Sequence, residues 1–125
     1  MTRPLALIIE DDPKLGAIIQ IALQKAGFDT DLDPDGNLYA QKLEERLPAL
    51  IILDVHMPFA SGVDILEQLH ADERWKHIPI IVTTADLQRS KSLQGKAEYV
   101  LLKPVSISHL VGLAVQFLPK PQENP

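Results

Sequence analysis

Apolar residues along this chain of 125 residues fall into two alternating kinds of run. Short uninterrupted runs rich in β-branched side chains are separated by segments whose apolar residues recur three and four apart, the pattern of strands joined by amphipathic helices around a parallel sheet. Leu5-Ala6-Leu7-Ile8-Ile9 is apolar without alternation, which predicts a strand covered on both faces. The next segment places Leu15, Ile18, Ile19, Ala22 and Leu23 on one helical stripe and stops at Gly27, a residue suited to the left-handed position after a helix. Residues 28 to about 32 predict a more polar edge strand, and Pro34-Asp35-Gly36 turns the chain into a helix carrying Leu43 and Leu47 inward. Ala49-Leu50-Ile51-Ile52-Leu53 predicts a third buried strand that runs into Asp54. After the Met57-Pro58 loop and Gly62, a helix is expected from near Val63 to about His70, then a polar connection containing Trp75 and ending at Pro79. Ile80-Ile81-Val82-Thr83 delivers Thr84. From Leu87 to Gln94 only Leu87 and Leu93 are large apolar anchors, so that helix is expected to be short or mobile. Tyr99 to Leu102 forms the fifth strand, and Leu110, Leu113, Ala114, Phe117 and Leu118 stripe the last helix before a Pro-rich tail, Pro119 to Pro125.

A hydrophobic share of 46% suffices for one core in a chain of this length, and two domains do not fit. The net charge of −5 gives no basic field, which argues against nucleic acid or anionic membrane as a direct partner. The absence of cysteine removes disulfides, thiolate metal sites and thiol nucleophiles together. No apolar run approaches the roughly 20 residues that span a bilayer, and the stretch after Met1-Thr2-Arg3-Pro4 is too short for a signal peptide. A soluble, unprocessed, cytoplasmic chain is expected.

In a parallel sheet with right-handed crossovers the residues following each strand collect on one edge. Here that edge gathers Glu10, Asp11 and Asp12 after the first strand, Asp54 after the third, Thr84 after the fourth and Lys103 after the fifth. Carboxylates brought this close resist ionising unless a cation lies among them, and a hard oxygen-seeking ion such as Mg²⁺ suits the donor set. Asp54 is then a candidate nucleophile toward phosphorus, with Mg²⁺ and Lys103 supplying positive charge and Thr84 a hydroxyl hydrogen bond. Asp12 before Pro13 reads better as a helix N-cap and first-turn pair, so it stays outside the metal site. His56, His70, His77 and His109 lack metal-site spacing and are taken as surface or packing side chains.

The runs Ile8-Ile9-Glu10-Asp11-Asp12-Pro13 and Leu53-Asp54-Val55-His56-Met57-Pro58, Gly62 eight places beyond Asp54, the pair Thr84-Ala85, and Lys103-Pro104 together resemble the ordered signature of response-regulator receiver domains. The resemblance covers nearly the whole chain. It implies a flavodoxin-like doubly wound (βα)5 three-layer sandwich with a parallel five-stranded sheet of order 2-1-3-4-5, with residues 1–118 as the receiver domain and 119–125 as a tail. It implies that Asp54 accepts a phosphoryl group from a sensor histidine kinase or a histidine phosphotransfer protein and relays the signal by conformational change to an effector the sequence does not name. Lys103 and Thr84 would assist. Mg²⁺ would be held by Asp11, Asp54, the backbone carbonyl of His56 and, largely through water, Glu10. It further implies a cis Lys103-Pro104 bond, chemistry limited to the chain's own phosphorylation and dephosphorylation rather than enzymatic turnover, and a monomer or weak phosphorylation-dependent dimer. His56 and Asp86 occupy positions that tune self-dephosphorylation in such domains.

Two features depart from the pattern. Val100 stands three places before Lys103, where an aromatic switch residue is usual, with Tyr99 one place earlier, so either the strand carries a bulge or the switch is altered. The stretch from Thr84 to Lys103 is also short, and the missing length falls in the fourth helix. Phosphorylation chemistry is therefore expected with an unusual output face. The competing readings are a degenerate receiver serving as a phosphorylation-independent interaction module, an aspartate-nucleophile phosphohydrolase, which would want an acid where His56 stands, and a flavin-binding protein.

Overall fold

The computed structural model describes residues 3–57 and 61–119. Pro58, the proline of the run after Asp54, and all of the tail beyond Pro119 lie outside the described residues. Strands and helices alternate throughout: β1 (Leu5–Ile9), α1 (Pro13–Ala26), β2 (Asp29–Asp33), α2 (Tyr39–Glu45), β3 (Leu50–Asp54), α3 (Gly62–Ala71), β4 (Ile80–Thr84), α4 (Leu87–Leu93), β5 (Tyr99–Leu102) and α5 (Ile107–Ala114), which tightens into a 3-10 turn at Val115–Phe117. The five strands pair in parallel in the order β2-β1-β3-β4-β5.

The uninterrupted apolar runs are explained by burial on both faces. Alternate residues Leu7, Ile9, Ile51, Leu53, Ile80 and Val82 pack with Leu43 of α2, Leu69 of α3 and Leu93 of α4. The intervening Ala6, Ile8, Leu50, Ile52 and Ile81 pack with Ile19 and Leu23 of α1 and Leu110 and Ala114 of α5. The molecule is therefore a three-layer sandwich with two cores, and successive apolar residues of β1, β3 and β4 alternate between them.

Helix ends follow local chemistry. Asp12 caps α1, accepting from the Lys14 and Leu15 amides at 2.9 and 3.2 Å, with Pro13 in the first turn. Gly27 ends the helix at a φ of 122°, a conformation that a side chain would oppose.

Five local expectations need correction. Leu47 lies beyond α2 and is 60% exposed, while Tyr39 and Leu43 are the inward residues. On α1, Ile18 is 48% exposed, because the buried stripe through Gly16, Ile19 and Leu23 is narrower than the apolar spacing suggests. Leu87 is 55% exposed, so α4 is anchored by Leu93 and the small Ser90. Phe28 precedes β2 and is wholly buried in the turn from α1. Trp75, in the connection expected to be polar, is also buried, with the Arg74 guanidinium 4.3 Å from its ring centre.

Candidate functional site

Parallel strands deliver their C-terminal residues to one edge, where Glu10 after β1, Asp54 at the end of β3 and Lys103 after β5 come within reach of one another and Thr84 ends the neighbouring β4. Carboxylate oxygens of Glu10, Asp11 and Asp54 lie within 4.8 Å of one another. Glu10 and Asp54 are buried and Asp11 is half-buried. The Lys103 ammonium donates to Glu10 Oε1 at 3.0 Å and to Asp54 Oδ2 at 3.2 Å, tying together the ends of three strands. The Lys103-Pro104 peptide bond is cis. His56 enters through its main chain: its amide donates to Asp54 Oδ1 at 2.8 Å while its side chain is exposed.

Burial, then hydrogen bonding to Asp54, pushes the Glu10 carboxyl from its ordinary 4.5 up to about 7. Burial also works against ionisation of Asp54, but hydrogen bonds from Glu10, the His56 amide and Lys103 bring it below the usual carboxylate range. Lys103 is held above its ordinary range, since its two carboxylate partners outweigh its burial. In this arrangement Glu10 is the harder of the two carboxyl groups to ionise and Asp54 the easier. Lys103 alone does not neutralise the cluster, and a divalent cation among the three carboxylates would favour their ionised forms. The all-oxygen donor set fits a hard ion of the Mg²⁺ kind.

Thr84 is wholly buried at the same edge, where its carbonyl accepts from the Lys103 amide at 2.7 Å. Its hydroxyl accepts from the Asp86 amide at 3.1 Å. Gly62 is dictated by close approach: a Cβ there would lie 2.2 Å from Val55 Cα and 2.7 Å from the Asp54 carbonyl oxygen. The first turn of α3 thus rests on the backbone that carries the acidic group.

Asp12, at the N-cap, stands outside the cluster, as its Asp-Pro context predicts. Asp33, at the end of β2, was missed by sequence reasoning. It is wholly buried, and its carboxylate accepts from the amides of Asp35, Gly36 and Leu38 at 3.1, 2.9 and 2.9 Å, so its oxygens hold the loop after β2. The signal was available in Asp33-Pro34-Asp35-Gly36, an Asx-turn sequence. Of the two alternatives at the fifth strand, the bulge is excluded, because β5 pairs with β4 in unbroken register from Ile81↔Tyr99 to Thr84↔Leu102. Val100 therefore packs into the core shared with α4, and Tyr99 packs into the other core, edge-on to Phe117 at 6.4 Å with its hydroxyl donating to Gln116 at 2.7 Å.

The family model for the response regulator receiver domain matches residues 6–122. Among curated proteins, the DNA-binding dual master transcriptional regulator RpaA of Synechocystis sp. is 35% identical over 86% of this chain and 46% of its own length. The hybrid signal transduction histidine kinase D of Dictyostelium discoideum is 34% identical over 93% of this chain and 8% of its own length. The chain spans about half the length, or much less, of these relatives. Among solved structures, the chemotaxis response regulator CheY4 of Vibrio cholerae superposes with a TM-score of 0.82 at 25% identity, covering 94% of this chain and all of that one. With the family model spanning almost all of a chain folded around a parallel sheet of order 2-1-3-4-5, this protein belongs to the response-regulator receiver domains of two-component signalling.

Proposed function

We propose that Asp54 is the phosphoacceptor of this receiver, and that its phosphorylation depends on Mg²⁺ held by Glu10, Asp11, Asp54 and the His56 carbonyl. The observation that carries this reading is the Lys103 ammonium bridging Glu10 and Asp54, two buried carboxyl groups from separate strands. Asp54 stays ionised, as a nucleophile must. One of its oxygens attacks phosphorus in line, the bond from phosphorus to the donor breaks, and its electron pair leaves with the donor. Lys103 faces the developing charge on the phosphoryl oxygens, and the Thr84 hydroxyl donates a hydrogen bond to one of them. A Mg²⁺ ion held by Glu10, Asp11, Asp54 and the His56 carbonyl would supply further positive charge to those oxygens. Attack of water on phosphorus later returns the free carboxylate and inorganic phosphate.

The relatives' names, a transcriptional regulator and a hybrid histidine kinase, support a sensor histidine kinase or a histidine phosphotransfer protein as donor. The signal then passes to an effector protein by conformational change, with the domain acting in the cytoplasm as a monomer or weak phosphorylation-dependent dimer. An interaction module indifferent to phosphate has no use for two adjacent buried carboxyl groups, whose burial costs stability. Incubation with ³²P-labelled acetyl phosphate and Mg²⁺ tests the reading. Label is expected on the native chain and is lost in Asp54→Asn and in EDTA, whereas equal labelling of the Asn variant sinks it.

A further inference from the structure

The turn between β4 and α4 contains a linkage that the scheme above does not use. Asp86 donates its backbone N–H to the Thr84 hydroxyl at 3.1 Å. Its carboxylate Oδ1 meanwhile accepts from the Gln88 and Arg89 amides at 2.9 and 3.1 Å, and its carbonyl accepts from the Ser90 amide at 2.9 Å. One residue thus holds the threonine hydroxyl with its amide and the first turn of α4 with its side chain and carbonyl.

The helix it caps has little else to secure that turn. α4 has seven residues, its first residue Leu87 is largely exposed, and its buried side chains are Ser90 and Leu93. Helices this short are marginal without tertiary anchoring or caps. Loss of the cap frays the first turn, and the Asp86 amide then no longer has a fixed place from which to orient Thr84. With that hydrogen bond in place, the Thr84 oxygen has one lone pair occupied and its own proton is left for another acceptor.

We infer that Asp86 is a positioning residue, whose capping of α4 aims the Thr84 hydroxyl for phosphoryl transfer to Asp54. The inference rests on the phosphoacceptor reading and adds a residue to it. Charge and capping make opposite predictions here. If Asp86 acted only as a negative charge near the incoming phosphoryl group, both Asp86→Ala and Asp86→Asn would speed labelling. If it acts as a cap, Asn replaces it, because the amide oxygen accepts the same two hydrogen bonds, and Ala does not.

The experiment is the rate of ³²P labelling from acetyl phosphate and Mg²⁺ for the native chain, D86A, D86N, T84A and the T84A/D86A double variant, each shown to be folded by urea denaturation. D86A is expected to label about fivefold more slowly, the factor that corresponds to loss of an average N-cap. D86N stays near the native rate, and D86A adds nothing in the T84A background. Amides of Gln88 and Arg89 exchange with solvent faster in D86A than in D86N. Native labelling by D86A, equal slowing by D86A and D86N, or the same fold-loss with and without Thr84 overturns the positioning role while leaving Asp54 as acceptor. A native chain that takes no Asp54-dependent label overturns both.

Discussion

Replacing either of two glycines by alanine adds the same methyl group in two environments, and the structure assigns the two changes opposite signs. At Gly62, the first residue of α3, the new Cβ would lie 2.2 Å from Val55 Cα, 2.7 Å from the Asp54 carbonyl oxygen and 3.0 Å from the Val55 carbonyl carbon. All three neighbours are backbone, so relief requires moving α3 away from the end of β3 by about an ångström or distorting residues 54 and 55. Overpacking of this kind costs about 1–3 kcal/mol, and contacts against backbone place this case at the upper end. For a domain of this size that is a fall of about 10 °C in Tm. Gly112, in contrast, is an exposed position inside α5 with nothing within 4 Å of its added Cβ. Alanine there removes the backbone-entropy cost of a helical glycine and stabilises by about 0.5–1 kcal/mol, raising Tm by about 3 °C. Paired urea melts at constant m-value separate true stability changes from changes in the unfolded state. Gly62→Ala is also expected to slow ³²P labelling, because it displaces the backbone whose His56 amide holds Asp54 Oδ1 at 2.8 Å. A Gly62→Ala protein as stable as the native one, or a Gly112→Ala protein destabilised to the same degree, refutes the reasoning.

Other consequences of the geometry are equally open to measurement. Asp33→Ala strips three amides of a buried acceptor and is expected to destabilise the domain by about 2–3 kcal/mol in urea, with the loop from residue 34 to 38 showing faster amide exchange; unchanged stability contradicts the clamp. In EDTA, the raised Glu10 group contributes stability that is fully present below its ordinary 4.5 and is lost as pH climbs through about 7, so Tm of the metal-free chain falls across that window; Glu10→Gln flattens the fall, and an unaltered slope in that variant rules out Glu10 as its source. The depressed Asp54 group works in the other direction, its contribution present above the ordinary carboxylate range and lost only in stronger acid. Lys103→Met removes the ammonium that faces both carboxyl groups and is expected to cut ³²P labelling by about a hundredfold or more, with native-like labelling as the contrary result.

Much of this arrangement is legible in residue order because a parallel sheet imposes it. A strand buried on both faces must be apolar at every position, so β1, β3 and β4 announce themselves, and the polar residue that ends each run must emerge at the common edge. Glu10, Asp54, Thr84 and Lys103 could therefore be gathered before any coordinates existed. Other features depended on three-dimensional packing. Apolar spacing along α1 and α2 does not say how much of a helix its neighbours cover, which is why Ile18 and Leu47 face solvent while Tyr39 and Trp75 do not. Whether Val100 or Tyr99 faces α4 turns on strand register, and one added residue in β5 would have exchanged them. Nor does residue order show that burial holds Glu10 above the ordinary carboxylate range, that Asp33 spends its carboxylate on a loop, or that Asp86 joins Thr84 to α4. Each depends on distances between atoms that only the folded chain brings together, at separations where a fraction of an ångström makes or breaks a hydrogen bond.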